Sequence, residues 1–105
     1  MSEGEIRVVI EVDDVEESLL LFRDVLGLEE IATFEQGEAR VVLLLGGRGT
    51  LELSNRAQTR LIDRIEVGRE VGAPIRFAFR VDDTADRTEA AVGAGATLVG
   101  APTRT

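Results

Sequence analysis

The 105-residue chain has no cysteine, histidine, lysine, tryptophan or tyrosine, and each absence closes a route. Without cysteine there is no disulfide framework, and nothing in the chain asks for an oxidising compartment. Together the missing types exclude imidazole bases, thiolate nucleophiles, Schiff bases and phenolic acids, leaving Asp, Glu, Arg, three Ser, some Thr and the backbone to carry any chemistry. Four phenylalanines are the only aromatic residues and the formal net charge is −8. A chain of this kind repels phosphate backbones and offers no stacking platform for bases, so nucleic acid is not expected as a partner. No apolar run approaches the ~20 residues of a membrane span. The opening Met1-Ser2-Glu3-Gly4-Glu5 is acidic where a signal peptide is basic, so a soluble, cytoplasmic protein is expected.

What is present is a repeat. Ile6-Arg7-Val8-Val9-Ile10-Glu11-Val12-Asp13-Asp14 returns as Ile75-Arg76-Phe77-Ala78-Phe79-Arg80-Val81-Asp82-Asp83. Each copy is an alternating strand closed by an acidic pair, followed by a helix-like stretch and a glycine stop. Such self-similarity points to two copies of one unit around a shared space. One domain of this length buries roughly 65% of its unfolded surface, enough for a core without staples. All twelve basic residues are arginine. That suits bidentate anion recognition, but a genome-wide codon preference is the simpler account and carries more weight.

In the first copy a strand over 6–12 leads into a helix over 14–26. Asp14 is the N-cap with Glu17 three residues on, Val15, Leu19, Phe22 and Leu26 recur at helical spacing, and Gly27 is the stop. Strands are predicted over 28–34, 39–45 and 50–54, joined by glycine-bearing hairpins. A polar stretch 55–60, a short helix within 61–71 and Gly72-Ala73-Pro74 connect the copies. The second copy predicts a strand over 75–81, a helix over 83–94 stopped by Gly95, and a short strand over 96–100. The resulting division is one domain, 1–105, with a first module 5–55, a connector 56–73 and a second module 74–105. That second module is cut short after its third element, about 15 to 20 residues short of a matching copy. An incomplete sheet leaves an open edge for a partner chain or a further segment to cover.

The run Val12-Asp13-Asp14-Val15-Glu16-Glu17-Ser18-Leu19-Leu20-Leu21-Phe22-Arg23-Asp24-Val25-Leu26-Gly27-Leu28 resembles the opening βα unit of the vicinal oxygen chelate superfamily, which includes glyoxalase I, bleomycin-resistance and extradiol-dioxygenase proteins. The resemblance implies an α+β fold of paired βαβββ modules enclosing a cavity, usually in a homodimer. In the metal enzymes of that group, a ligand opens the first strand of each module, seven residues before the capping Asp. Counting back from Asp14 and Asp83 gives Arg7 and Arg76. A guanidinium has no free lone pair and repels a cation. Thr50-Leu51-Glu52-Leu53-Ser54-Asn55 resembles the strand that carries a glutamate ligand, which places Glu52 there. The fourth position falls in the part of the second module that this chain lacks. No catalytic metal or other cofactor is therefore expected.

If Val8, Ile10 and Val12 pack on the first helix, alternation turns Arg7, Val9 and Glu11 to the other face, with Arg76, Ala78 and Arg80. Glu52 and Ser54 join them opposite Leu51 and Leu53. The candidate ligand-binding residues are thus Arg7, Glu11, Glu52, Ser54, Arg76 and Arg80, holding a small organic molecule, anionic or aromatic. Two alternatives stand beside this. One is a metal-dependent lyase, isomerase or dioxygenase using Glu52 and ligands outside the chain; the other is a structural or interaction protein in which Arg7 and Arg76 merely pair with Glu52 and Glu11. Asp13-Asp14 and Asp82-Asp83 read as helix caps, Gly46-Gly47-Arg48-Gly49 as a hairpin turn, Glu16-Glu17 and Glu29-Glu30 as solvated faces, and the leucines at 43–45 as sheet core.

Overall fold

The computed structural model describes residues 5–102. The first four residues and the last three of the tail lie outside them. The fold is α+β, a mixed sheet with three helices, in the order β1 (Ile6–Glu11), α1 (Val15–Leu19) running on as a π-helix (Leu20–Val25), β2 (Glu29–Gln36), β3 (Ala39–Gly46), β4 (Gly49–Ser54), α2 (Arg56–Glu66), β5 (Ile75–Phe79) and α3 (Thr84–Gly93). The strand order is β2-β3-β4-β1-β5. β1 runs parallel to β4, with Val9 beside Glu52 and Glu11 beside Ser54. The repeat is visible in space: β5 pairs antiparallel with β1, setting Arg76 beside Val9 and Ala78 beside Arg7. Both opening arginines therefore stand on one face of one sheet.

The opposite face builds the core. Val42 and Leu44 of β3, Leu53 of β4 and Val15 and Leu19 of α1 are buried together, with Val12, Phe22, Leu28 and Leu51 packed around them. Leu19, Leu44 and Leu53 are almost fully removed from water, each stabilising by roughly 1.5–3 kcal/mol. Helix starts follow the expected chemistry. Asp14 accepts from the Glu17 amide and Asp83 from the Asp86 amide, and Gly47, at φ 61°, turns the β3–β4 hairpin.

Three expectations are corrected. The helix predicted over 14–26 widens after Leu19: the Leu26 amide bonds to the Leu21 carbonyl, five residues back. The wider turn carries Leu26 off the apolar stripe, so it is exposed rather than packed with Leu19. In the connector, the helix is Arg56–Glu66, not a segment within 61–71; Asn55 caps it, accepting from the Gln58 amide at 2.9 Å. The strand predicted over 96–100 does not form. That segment has no ladder partner and its Gly100 turns against the backbone of Glu66 and Val67 at the end of α2. Smaller differences fall at strand ends, where β5 stops at Phe79 and β2 runs to Gln36. Among the described residues no helix is long and apolar enough to cross a membrane.

Candidate functional site

The second face of the sheet carries Arg7, Val9 and Glu11 from β1, Glu52 and Ser54 from β4, and Arg76 and Ala78 from β5, as alternation requires. Val41 and Leu43 of β3, which stand opposite Ser54 and Glu52, extend it and are buried. α2 lies over this face. Its inward row is polar: Thr59 and Asp63, one helical turn apart, are its buried residues. Thr59 donates its hydroxyl to Glu11 Oε1 at 2.5 Å. Asp63 receives a two-pronged contact from Arg76, Nη1 to Oδ1 at 2.5 Å and Nη2 to Oδ2 at 3.2 Å.

Between sheet and helix lies a cavity of about 370 Å³. Arg7, Glu52, Ser54, Gln58, Thr59 and Arg76 give its polar wall, while Val9, Val41 and Ile62 give apolar surface. Four of the six residues expected to line one pocket, Arg7, Glu52, Ser54 and Arg76, thus meet there. Glu11 lies in a neighbouring hollow with Arg56, Thr59 and Asp63, and its carboxylate faces Arg56 at 3.7 Å. Arg80 is exposed just beyond the end of β5. A larger, more open groove of about 560 Å³ shares Glu66, Arg76 and Phe77 with the cavity and runs between the end of α2, β5, α3 and the tail. The smaller cavity is the better candidate because the Arg7–Glu52 pair forms part of its wall.

Two ion pairs set the electrostatics. Arg7 Nε stands 3.3 Å from Glu52 Oε2, with both side chains largely covered. Burial raises the Glu52 carboxyl above the usual glutamate range and Arg7 only partly opposes it. Asp63 shifts the other way, held below the aspartate range first by its hydrogen bonds from Arg76 and then by the amides of Val71 and Gly72, against the cost of burial. Those amides reach Asp63 Oδ2 at 2.9 and 3.2 Å. Asp63 therefore fastens α2, the loop after it and β5 to one carboxylate. Arg76 pairs with Asp63 rather than with Glu11, because α2 rather than β1 brings the carboxylate within its reach. Asp63 is the residue that sequence reasoning missed; its signal was its place one turn after Thr59 on a helix that begins at Asn55.

The described residues do not fit a divalent cation. Among the described residues no group of three or more His, Cys, Asp or Glu side chains converges as ligands. The one carboxylate at a family ligand position, Glu52, faces a fixed guanidinium at 3.3 Å.

No curated protein and no solved structure matches the chain. The model of the Glyoxalase/Bleomycin resistance protein/Dioxygenase superfamily matches residues 6–105, which takes in both copies of the repeat and the βαβββ order of the first. With nearly all of its length matched, the chain belongs to that superfamily.

Proposed function

We propose that the cavity between the sheet and α2 binds a small organic molecule, anionic or rich in carbonyl oxygens, without a catalytic metal. The observation that carries this reading is the Arg7–Glu52 pair on the cavity wall: a fixed cation whose counter-ion is a carboxyl that burial predisposes to protonation. A ligand carboxylate or carbonyl takes the place of Glu52 beside Arg7 and accepts the guanidinium's hydrogen bonds. Glu52, once protonated, donates its own proton to a ligand oxygen; ionised, it accepts from a ligand hydroxyl. Gln58 and Ser54 add polar contacts, and Val9, Val41 and Ile62 cover apolar parts of the molecule. The cavity falls within the size range of small-molecule sites. Arg76 is already bound on two sides by Asp63 and sets the shape of the wall.

A thermal-shift and calorimetric screen of aromatic carboxylates and dicarbonyl compounds tests this. A hit is expected to lose about ten- to a hundredfold in affinity on Arg7→Ala. Glu52→Gln removes the carboxylate that faces Arg7 on the cavity wall and is expected to tighten an anionic hit. Stoichiometric binding of Ni²⁺, Zn²⁺, Mn²⁺ or Fe²⁺ that Glu52→Gln abolishes overturns the reading in favour of metal-dependent chemistry.

A further inference from the structure

We infer that Asp63 fixes the charge of the ligand, restricting the cavity between the sheet and α2 to monoanions; this rests on the binding reading above and adds the ligand class and the residue that selects it. Two guanidiniums, Arg7 and Arg76, line the cavity. Two cations on one wall ordinarily suit a ligand with two acidic groups. Their counter-ions are held differently. Asp63 Oδ1 accepts from Arg76 Nη1 and Oδ2 from Nη2, and Oδ2 also accepts from the amides of Val71 and Gly72 at 2.9 and 3.2 Å. Its side chain is only 4% exposed. Arg76 is fastened along its other edge as well, donating Nε to the Ala73 carbonyl at 2.9 Å. A ligand group that took the place of Asp63 would strip an acceptor from two backbone amides and leave a covered carboxylate without its cation, a loss that one new ion pair does not offset.

Glu52 is placed otherwise. Its carboxylate stands 3.3 Å from Arg7 Nε and is itself part of the cavity lining, whereas Asp63 is not. A ligand inside the cavity therefore meets Glu52 directly, and meets Arg76 with its charge already matched. Arg7 is left as the cation that a ligand anion takes over, and it accommodates one. A third carboxylate, Glu66 at the end of α2, also lines the cavity. A second acidic group on the ligand thus finds Glu66 and a neutralised Arg76, and gives up its hydration without gaining a charge partner. The remaining lining suits an uncharged body: Val9, Val41 and Ile62 for its apolar parts, Ser54 and Gln58 for a hydroxyl or carbonyl. Asp63 makes this selection without touching the ligand, through the guanidinium that it holds.

Calorimetry with benzoate and isophthalate, one ring carrying one carboxylate or two, tests the selection. The wild type is expected to bind benzoate about tenfold or more tightly than isophthalate. Asp63→Asn turns the charge of Arg76 loose on the cavity, so the affinity for isophthalate relative to benzoate is expected to rise about tenfold. Adding Arg76→Gln to that variant removes the released charge and is expected to return the ratio to the wild-type value. A loosened fold alone would weaken both probes together and leave the ratio where it was. Equal binding of the two probes by the wild type, a ratio that Asp63→Asn does not move, or a shift that survives Arg76→Gln overturns the inference and leaves the binding reading standing. If no carboxylate or dicarbonyl compound binds at all, the reading fails and the inference with it. Should Asp63→Asn not fold, the double variant decides: it exchanges an ion pair for a neutral pair, and a ratio that moves about tenfold in either direction overturns the inference.

Discussion

Asp63 on α2 and Glu52 on β4 are two covered carboxylates with opposite titration behaviour, and their difference makes stability depend on pH in two steps. Glu52 is raised by burial, so its ionised form burdens the fold at neutral pH, and the burden lifts as pH falls through its raised folded value toward the ordinary ~4.3. Asp63 is lowered by Arg76 and two amides. Its contribution is present above the ordinary ~3.9 and disappears as pH falls below that toward its lower folded value. Stability measured by urea unfolding is thus expected to gain from Glu52 first and lose from Asp63 afterwards as acid is added. Asp63→Asn leaves Arg76 facing a neutral amide in a covered site and is expected to cost about 3 kcal/mol at neutral pH. It also removes the acid-side loss, whereas Glu52→Gln removes the earlier gain and spares the later loss. An Asp63→Asn protein with an unchanged acid limb contradicts the assignment of that limb.

At the scale of elements, α2 rests on a single capping side chain with three bonds. Asn55 Oδ1 accepts from the Gln58 and Arg40 amides at 2.9 and 3.0 Å, and its Nδ2 donates to the Glu38 carbonyl at 2.7 Å. The cap thus ties the start of α2 to the β2–β3 hairpin, and Asn55→Ala is expected to cost about 2 kcal/mol, at the upper end for cap removal. Asn55→Asp keeps the acceptor, loses only the donated bond, and is expected to fall between; equal losses in both variants in urea unfolding would show that the helix cap adds nothing. This helix also marks where sequence reading ran out. The strands of the first module and the helix starts at Asp14 and Asp83 were legible because a buried sheet face writes a period of two and a cap writes a local motif. α2 buries Thr59 and Asp63 against the polar face of a sheet, so its inward stripe is polar and a search for apolar spacing passes over it. The π-helix escaped for a related reason, since its apolar residues fit α-helical spacing and only the backbone shows the wider turn. In the site, alternation placed Arg7, Glu52, Ser54 and Arg76 on one wall and so set Arg7 near Glu52, but Arg76 takes its anion, Asp63, from α2 by side-chain reach, which no spacing records.

Across the whole molecule, acid is spread over both ends of the sheet, and that makes the fold sensitive to salt. The chain carries a net charge of −8. Glu16, Glu17, Glu29, Glu30 and Glu35 lie on α1 and β2, and Asp82, Asp83, Asp86 and Glu89 follow β5 into α3. Added salt screens repulsion between exposed charges beyond roughly 8–10 Å at physiological strength, while the covered Arg76–Asp63 pair is screened far less. Stability in urea unfolding is therefore expected to rise from low to moderate sodium chloride. A stability that falls instead would mean that exposed ion pairs, for instance those of Arg60 and Arg64 with Glu70, outweigh the net repulsion.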